Sequence, residues 1–96
     1  MSDPGRVLTV WEQALLIRSR GAKTRREILF TLNSDALCYS DIAKELNLTV
    51  ATISRHCSIL KKIQLLDNER IGNFIMCHLT ERGEKIADLI KKRSLE

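Results

Sequence analysis

The stretch from Leu37 to Ile63 constrains this chain more than any other part of it. Ile42, Ala43 and Leu46 recur at helical spacing, and so do Ile53, Cys57, Leu60 and Ile63. Only Asn47-Leu48-Thr49 separates the two runs. A connection that short holds two helices at a fixed angle and does little else. Ser40 and Thr49 are placed to cap the two helices. Asn47 tolerates the left-handed conformation that such a turn requires. Ala43 is small where the helices must cross, and Ile42, Leu46, Leu48 and Ile53 are expected to pin them together.

The outward positions of the second helix are Thr49, Thr52, Ser54, Arg55, Ser58 and Lys62. Short hydroxyl side chains permit close approach to a partner. Arg adds a long donor that can pair bidentately with guanine, and Ser or Thr can meet either bases or phosphates. No acid occurs from Val50 to Leu66, whereas an ordinary solvated face favours Glu and Lys. Phosphate repels carboxylates, so the pattern favours the groove of duplex DNA over bulk water.

With 96 residues the chain suits one domain, 1–96, near the lower size limit for burying a core alone. Hydrophobic residues make up 44% but only four residues are aromatic, so the core must be aliphatic. The formal charge is +4, with a pI near 9.2, which suits a polyanionic partner without requiring one. Arg18, Arg20, Lys23, Arg25 and Arg26 cluster together, whereas 27–49 is net acidic. The cluster fits either a solvated helix junction or added charge toward a DNA backbone. Cys38, Cys57 and Cys77 show no paired spacing, and neither a secretory segment nor a membrane-spanning run is visible. A cytoplasmic protein with reduced thiols and no membrane partner is expected.

Outside the central stretch, residues 1–8 should be loosely ordered. Thr9 and Glu12 have capping-box spacing, opening a helix over 9–20 that Gly21 stops. Val10, Ala14 and Ile17 fall on one stripe of it and Trp11 with Leu15 on the next, while Leu16 widens the apolar face. A second helix runs over 23–33 with Ile28, Leu29 and Leu32 inward, followed by a short extended stretch at Leu37-Cys38-Tyr39. The period then changes after Ile63. Residues 65–70 and 74–79 read as a hairpin turning at Ile71-Gly72-Asn73, with Ile75, Cys77 and Leu79 on one face. Thr80 caps a last helix over 81–93, with Ile86, Leu89 and Ile90 inward.

Helix, helix, short strand, helix, recognition helix, β-hairpin wing and C-terminal helix is the winged helix-turn-helix order, an α+β fold that is mostly α. The segments Ser40-Asp41-Ile42-Ala43, Ile53-Ser54-Arg55-His56 and Leu79-Thr80-Glu81-Arg82-Gly83 resemble signatures of ArsR-type and MarR-type transcriptional regulators over roughly residues 24–90. The resemblance implies a homodimer that binds double-stranded DNA and regulates transcription as a repressor. It implies that the wing reaches the DNA backbone, for which Arg70 and Asn73 are the candidates, although Asp67 and Glu69 stand close by. Dimerisation would fall to the first and last helices through Val10, Trp11, Ala14, Leu15, Ile86, Leu89 and Ile90. The alternative is that both helices pack only over their own core.

Leu37-Cys38-Tyr39-Ser40-Asp41 is similar to the segment where metal-sensing ArsR-type proteins hold a cysteine pair. Ser40 stands where the second thiol would be, and the last helix lacks His. No metal and no cofactor is therefore expected. Cys57 and Cys77 fall on core-facing stripes, and no constellation for catalysis is visible. Two rivals stay open: a protein-binding winged helix in a larger assembly, and a metal- or thiol-responsive sensor built on the same DNA-binding fold. A small-molecule effector is unspecified.

Overall fold

The computed structural model describes residues 8–92. Helix α1, Val10–Gln13, runs on into a π-helical stretch, Ala14–Arg18. After it come α2 (Ala22–Leu32), β1 (Leu37–Cys38), α3 (Tyr39–Leu46) and α4 (Val50–Lys62). The hairpin β2 (Leu66–Ile71) and β3 (Phe74–Leu79) leads to α5 (Glu81–Lys92). The three strands form one antiparallel sheet in the order β1-β3-β2. Leu37 pairs with Cys77 at one edge of β3, and Leu66 with Leu79 at the other. The winged helix-turn-helix order expected from the sequence is the order observed.

One aliphatic core joins all the layers. Leu16, Ile28, Ile42, Ile53, Leu60 and Ile86 are each fully buried in it. The first helix departs from its expected phase. A π turn takes in an extra residue, and the amide of Ser19 bonds the carbonyl of Ala14 at 2.9 Å. Leu16, expected to widen the apolar face, is buried in the core, while Val10 is exposed. The helix also ends at Arg18, with Ser19 extended, earlier than the expected 20. Leu8, expected to be loosely ordered with 1–7, is buried in the core, while 1–7 themselves lie outside the described residues.

The caps explain most of the local order. The Thr9 hydroxyl accepts the Glu12 amide at 3.2 Å, and the Glu12 carboxylate accepts the Thr9 amide at 2.8 Å, completing the expected capping box. The same carboxylate is 4% exposed. It receives two bonds from Arg82 on α5, from Nε at 3.0 Å and from NH2 at 2.7 Å. Burial alone would raise the Glu12 pKa, but the Arg82 and Thr9 contacts outweigh it and hold the carboxyl below its ordinary value. This fork ties the start of α1 to the first turn of α5.

Thr80 performs the capping expected of it and more. Its hydroxyl accepts the Gly83 amide at 3.0 Å and donates to the Gln64 carbonyl at 2.7 Å, while its own amide bonds the Leu65 carbonyl at 3.1 Å. The first turn of α5 therefore sits directly on the chain leaving α4. Ser40, by contrast, does not cap α3. Cys38 occupies that position without a side-chain cap bond, because the helix already begins at Tyr39.

Candidate nucleic-acid interface

Helix α4 starts from a clean cap. The Thr49 hydroxyl accepts the Thr52 amide at 3.2 Å and donates to the Thr52 hydroxyl at 3.0 Å. Before it, Asn47 takes the left-handed conformation the turn needs, with φ 56°. Ile53, Cys57 and Leu60 are buried on one side of the helix. Ala51, Arg55, Ser58 and Lys62 recur at helical spacing on the opposite, exposed side. Thr52 and Ser54 are half-buried and lie about 160° apart around the axis, so they flank this stripe from opposite sides. Ala51 went unnoticed in the sequence because only polar positions were sought. Leu48, expected to pin the two helices, is exposed instead, as is Val50.

Arg25, the buried member of the basic cluster, links α4 to the end of the first helix. Its side chain sits at 3% exposure. Nε donates to the Leu15 carbonyl at 2.6 Å, and NH2 donates to the Ser19 hydroxyl at 2.6 Å and the Arg20 carbonyl at 2.9 Å. NH1 lies 3.1 Å from Nδ1 of His56 on α4. Arg26 adds a bond from NH1 to the Leu16 carbonyl at 2.7 Å. The π-helical end leaves carbonyls without intrahelical partners, and the two guanidiniums occupy them. Arg25 thus fits neither reading of the cluster, as a solvated junction or as charge toward a DNA backbone. Arg25 is wholly engaged inside the fold, while Arg18, Arg20 and Lys23 are exposed.

Gly21 makes this junction possible. Its φ is +83°, and a Cβ there would meet the His56 ring at 2.7 Å and Arg25 at 3.0 Å. Burial, then the charges of Arg25 and Arg55, hold the His56 pKa below its ordinary value of 6.5, so the ring is neutral and Nδ1 accepts from Arg25. In the unfolded chain the ring protonates first as pH falls. The contribution of His56 is thus fully present above pH 6.5 and declines below it. Urea titrations should show stability falling from pH 7 toward pH 5.5, with a shallower slope in His56→Gln; equal slopes would contradict the assignment.

Arg70 and Asn73 both sit exposed on the wing, Arg70 opposite Ile75 and Asn73 in the two-residue loop behind Gly72. Gly72 supplies the positive φ, 60°, at the first loop position. Ile71 and Phe74 close the hairpin as its last pair. Together with Ile75 they leave the wing tip apolar and exposed, which the charges in the sequence had obscured. Ile75 shares a face with Cys77 and Leu79 but lies beyond the edge of the core that buries those two.

Similarity to known proteins follows this geometry. The profile of bacterial regulatory proteins of the ArsR family matches residues 22–67, the segment holding α2, β1, α3 and α4. The chain is an ArsR-like winged helix-turn-helix protein. It is 38% identical over 52 residues to the transcriptional repressor SdpR of Bacillus subtilis, covering 54% of this chain and 58% of SdpR. It superposes on the adhesin competence repressor AdcR of Streptococcus pyogenes with a TM-score of 0.71 at 25% identity, over 75% of this chain and 55% of AdcR. The homodimeric winged helix-turn-helix DNA-binding domain Mb0332 of Mycobacterium bovis gives a TM-score of 0.68 at 21% identity, over 76% and 69% of the two chains. The ArsR-like chain thus spans little more than half the length of SdpR and AdcR.

The residues expected at a dimer interface divide sharply. Val10 and Trp11 are 82% and 71% exposed, while Ala14, Leu15 and Leu89 are half-buried. Ile86 and Ile90 are fully buried in the ArsR-like chain's own core, which removes them from the expected interface. They face α2 and the sheet, so no partner surface can reach them. Cys57 and Cys77 are also fully buried. A hydrogen bond with Cys77, and then burial, push the Cys57 thiol far up and keep it protonated. The Cys38 thiol donates to Asp41 Oδ2 at 3.2 Å and lies 3.2 Å from the Ser40 hydroxyl. Among the described residues, no three His, Cys, Asp or Glu side chains converge in a way that would hold a metal ion, and no helix is long and apolar enough to cross a membrane.

Proposed function

We propose that this chain binds double-stranded DNA in a sequence-specific manner and regulates transcription in the cytoplasm, as a homodimer and a repressor. The observation that carries the reading is the exposed side of α4, where Arg55, Ser58 and Lys62 line one stripe of an acid-free helix. Its N-terminus carries the positive end of the helix dipole, which suits a phosphate. Arg55 is the base-reading residue and Lys62 a backbone contact, with Thr52 and Ser54 on the groove walls. Arg70 and Asn73 add phosphate contacts from the wing. It is a binding protein and not an enzyme.

Dimerisation rests on Val10 and Trp11, large apolar side chains that the core leaves uncovered, with Ala14, Leu15 and Leu89 beside them. The homodimeric state of Mb0332 supports dimerisation. The repressor role is supported by the naming of SdpR and AdcR as repressors. Selection of bound duplexes from a random pool tests the whole reading. A dimer should enrich an inverted repeat with half-sites about 10 base pairs apart, one turn of DNA. A pool without any enriched sequence would contradict it. The apolar wing tip favours a second reading, docking to a protein in a larger assembly, and that reading predicts an unenriched pool together with a stable hetero-complex.

A further inference from the structure

We propose that the first turn of α4 reads thymine through its methyl group, with Val50 and Ala51 as the reading residues; this rests on the DNA-binding reading above. Val50 is 47% exposed and Ala51 is exposed beside it. Both sit where a groove-reading helix makes its closest approach. The two hydroxyls of this turn bond each other, and the Thr49 hydroxyl also accepts the Thr52 amide. The outer surface of the turn is therefore mainly aliphatic, although the helix as a whole carries Arg55, Lys61 and Lys62 and no acid.

An aliphatic surface on a basic helix has one apolar feature to meet in the major groove. Guanine, cytosine and adenine present only hydrogen-bond donors and acceptors there, whereas thymine adds its C5-methyl group. Charge brings the helix to DNA, and the methyl contact then distinguishes thymine from the other bases. Ala51 precedes Arg55 by four residues and lies on the same stripe. At 1.5 Å of rise per residue, the two are about 6 Å apart along the helix axis, close to two base-pair steps. The site should thus hold a thymine about two base pairs from the guanine paired with Arg55.

The test replaces each thymine of a duplex selected from a random pool with deoxyuridine, which lacks only the methyl group. Wild-type protein should bind about fourfold more weakly for a contacted methyl removed, the loss expected for one buried carbon. The double variant Val50→Ser, Ala51→Ser should bind thymine and uracil duplexes equally while keeping the guanine preference set by Arg55. Both positions are exposed, so its melting temperature should stay that of wild type. Wild-type protein indifferent to every replacement would overturn the inference and leave the DNA reading standing. A double variant that still discriminates would overturn it too. Absence of any sequence-specific duplex binding would overturn the DNA reading and this inference together.

Discussion

Gly83→Ala should destabilise the protein by about 3 kcal/mol or more, lowering Tm by roughly 15 °C or more. In an ordinary exposed helix the same change would stabilise by about 1 kcal/mol, because alanine is the better helix former. Here a Cβ would stand 2.0 Å from the Leu65 carbonyl oxygen and 3.0 Å from its carbon, with Leu79 Cβ at 3.3 Å. That oxygen is backbone and already accepts the Thr80 amide, so it cannot swing aside as a flexible side chain would. Relief would require α5 to lift from the end of α4, which would strain the Thr80 clamp and the Glu12–Arg82 pair in the same turn. Thermal unfolding followed by circular dichroism reads the result directly. An unchanged or raised Tm would show that α5 can shift freely.

Arg25→Ala should cost about 3 kcal/mol or more and weaken DNA binding even where the variant folds. The change removes the guanidinium from between the π-helical end, the Gly21 turn and α4. It strips the Leu15 and Arg20 carbonyls and the His56 ring of their donor. Arg25→Lys should recover little, because a single ammonium cannot reach four acceptors that a planar fork meets at once. Urea unfolding of both variants checks this; Arg25→Lys with wild-type stability would mean that charge alone is sufficient at that position. The loss of DNA binding follows from geometry, since His56 lies on α4 one residue beyond Arg55.

The helix-turn-helix and the hairpin were legible because periodicity and caps are local. Asn47, Thr49, Thr80 and the Thr9–Glu12 box all act within a few residues of themselves, and each behaves as its spacing implies. The second tasks of those residues were hidden. Glu12 meets Arg82 seventy residues later in the chain, and nothing in its neighbourhood announces that. Arg25 read as a surface cation because its partners are backbone carbonyls, freed by a π turn that no residue pattern signals. Periodicity put Ile86 and Ile90 on an apolar stripe but could not say which neighbour covers it. In β3, Cys77 and Leu79 are buried on one face as expected, yet a shared face does not tell where the core beneath it ends, so exposed Ile71, Phe74 and Ile75 were missed. On the exposed side of α4, a search for polar donors marked Arg55, Ser58 and Lys62 and passed over Val50 and Ala51.

The central claim is that α4 reads DNA through Arg55. Its most direct test is fluorescence anisotropy of wild-type and Arg55→Ala protein on a pool-selected duplex and on a scrambled one. Wild type should prefer the selected duplex by about a thousandfold or more. Arg55→Ala should lose about 10- to 100-fold on that duplex, the range expected for one bidentate guanine contact, while its weak binding to the scrambled duplex changes only a few-fold. Equal preference for the selected duplex in the two proteins would contradict the account.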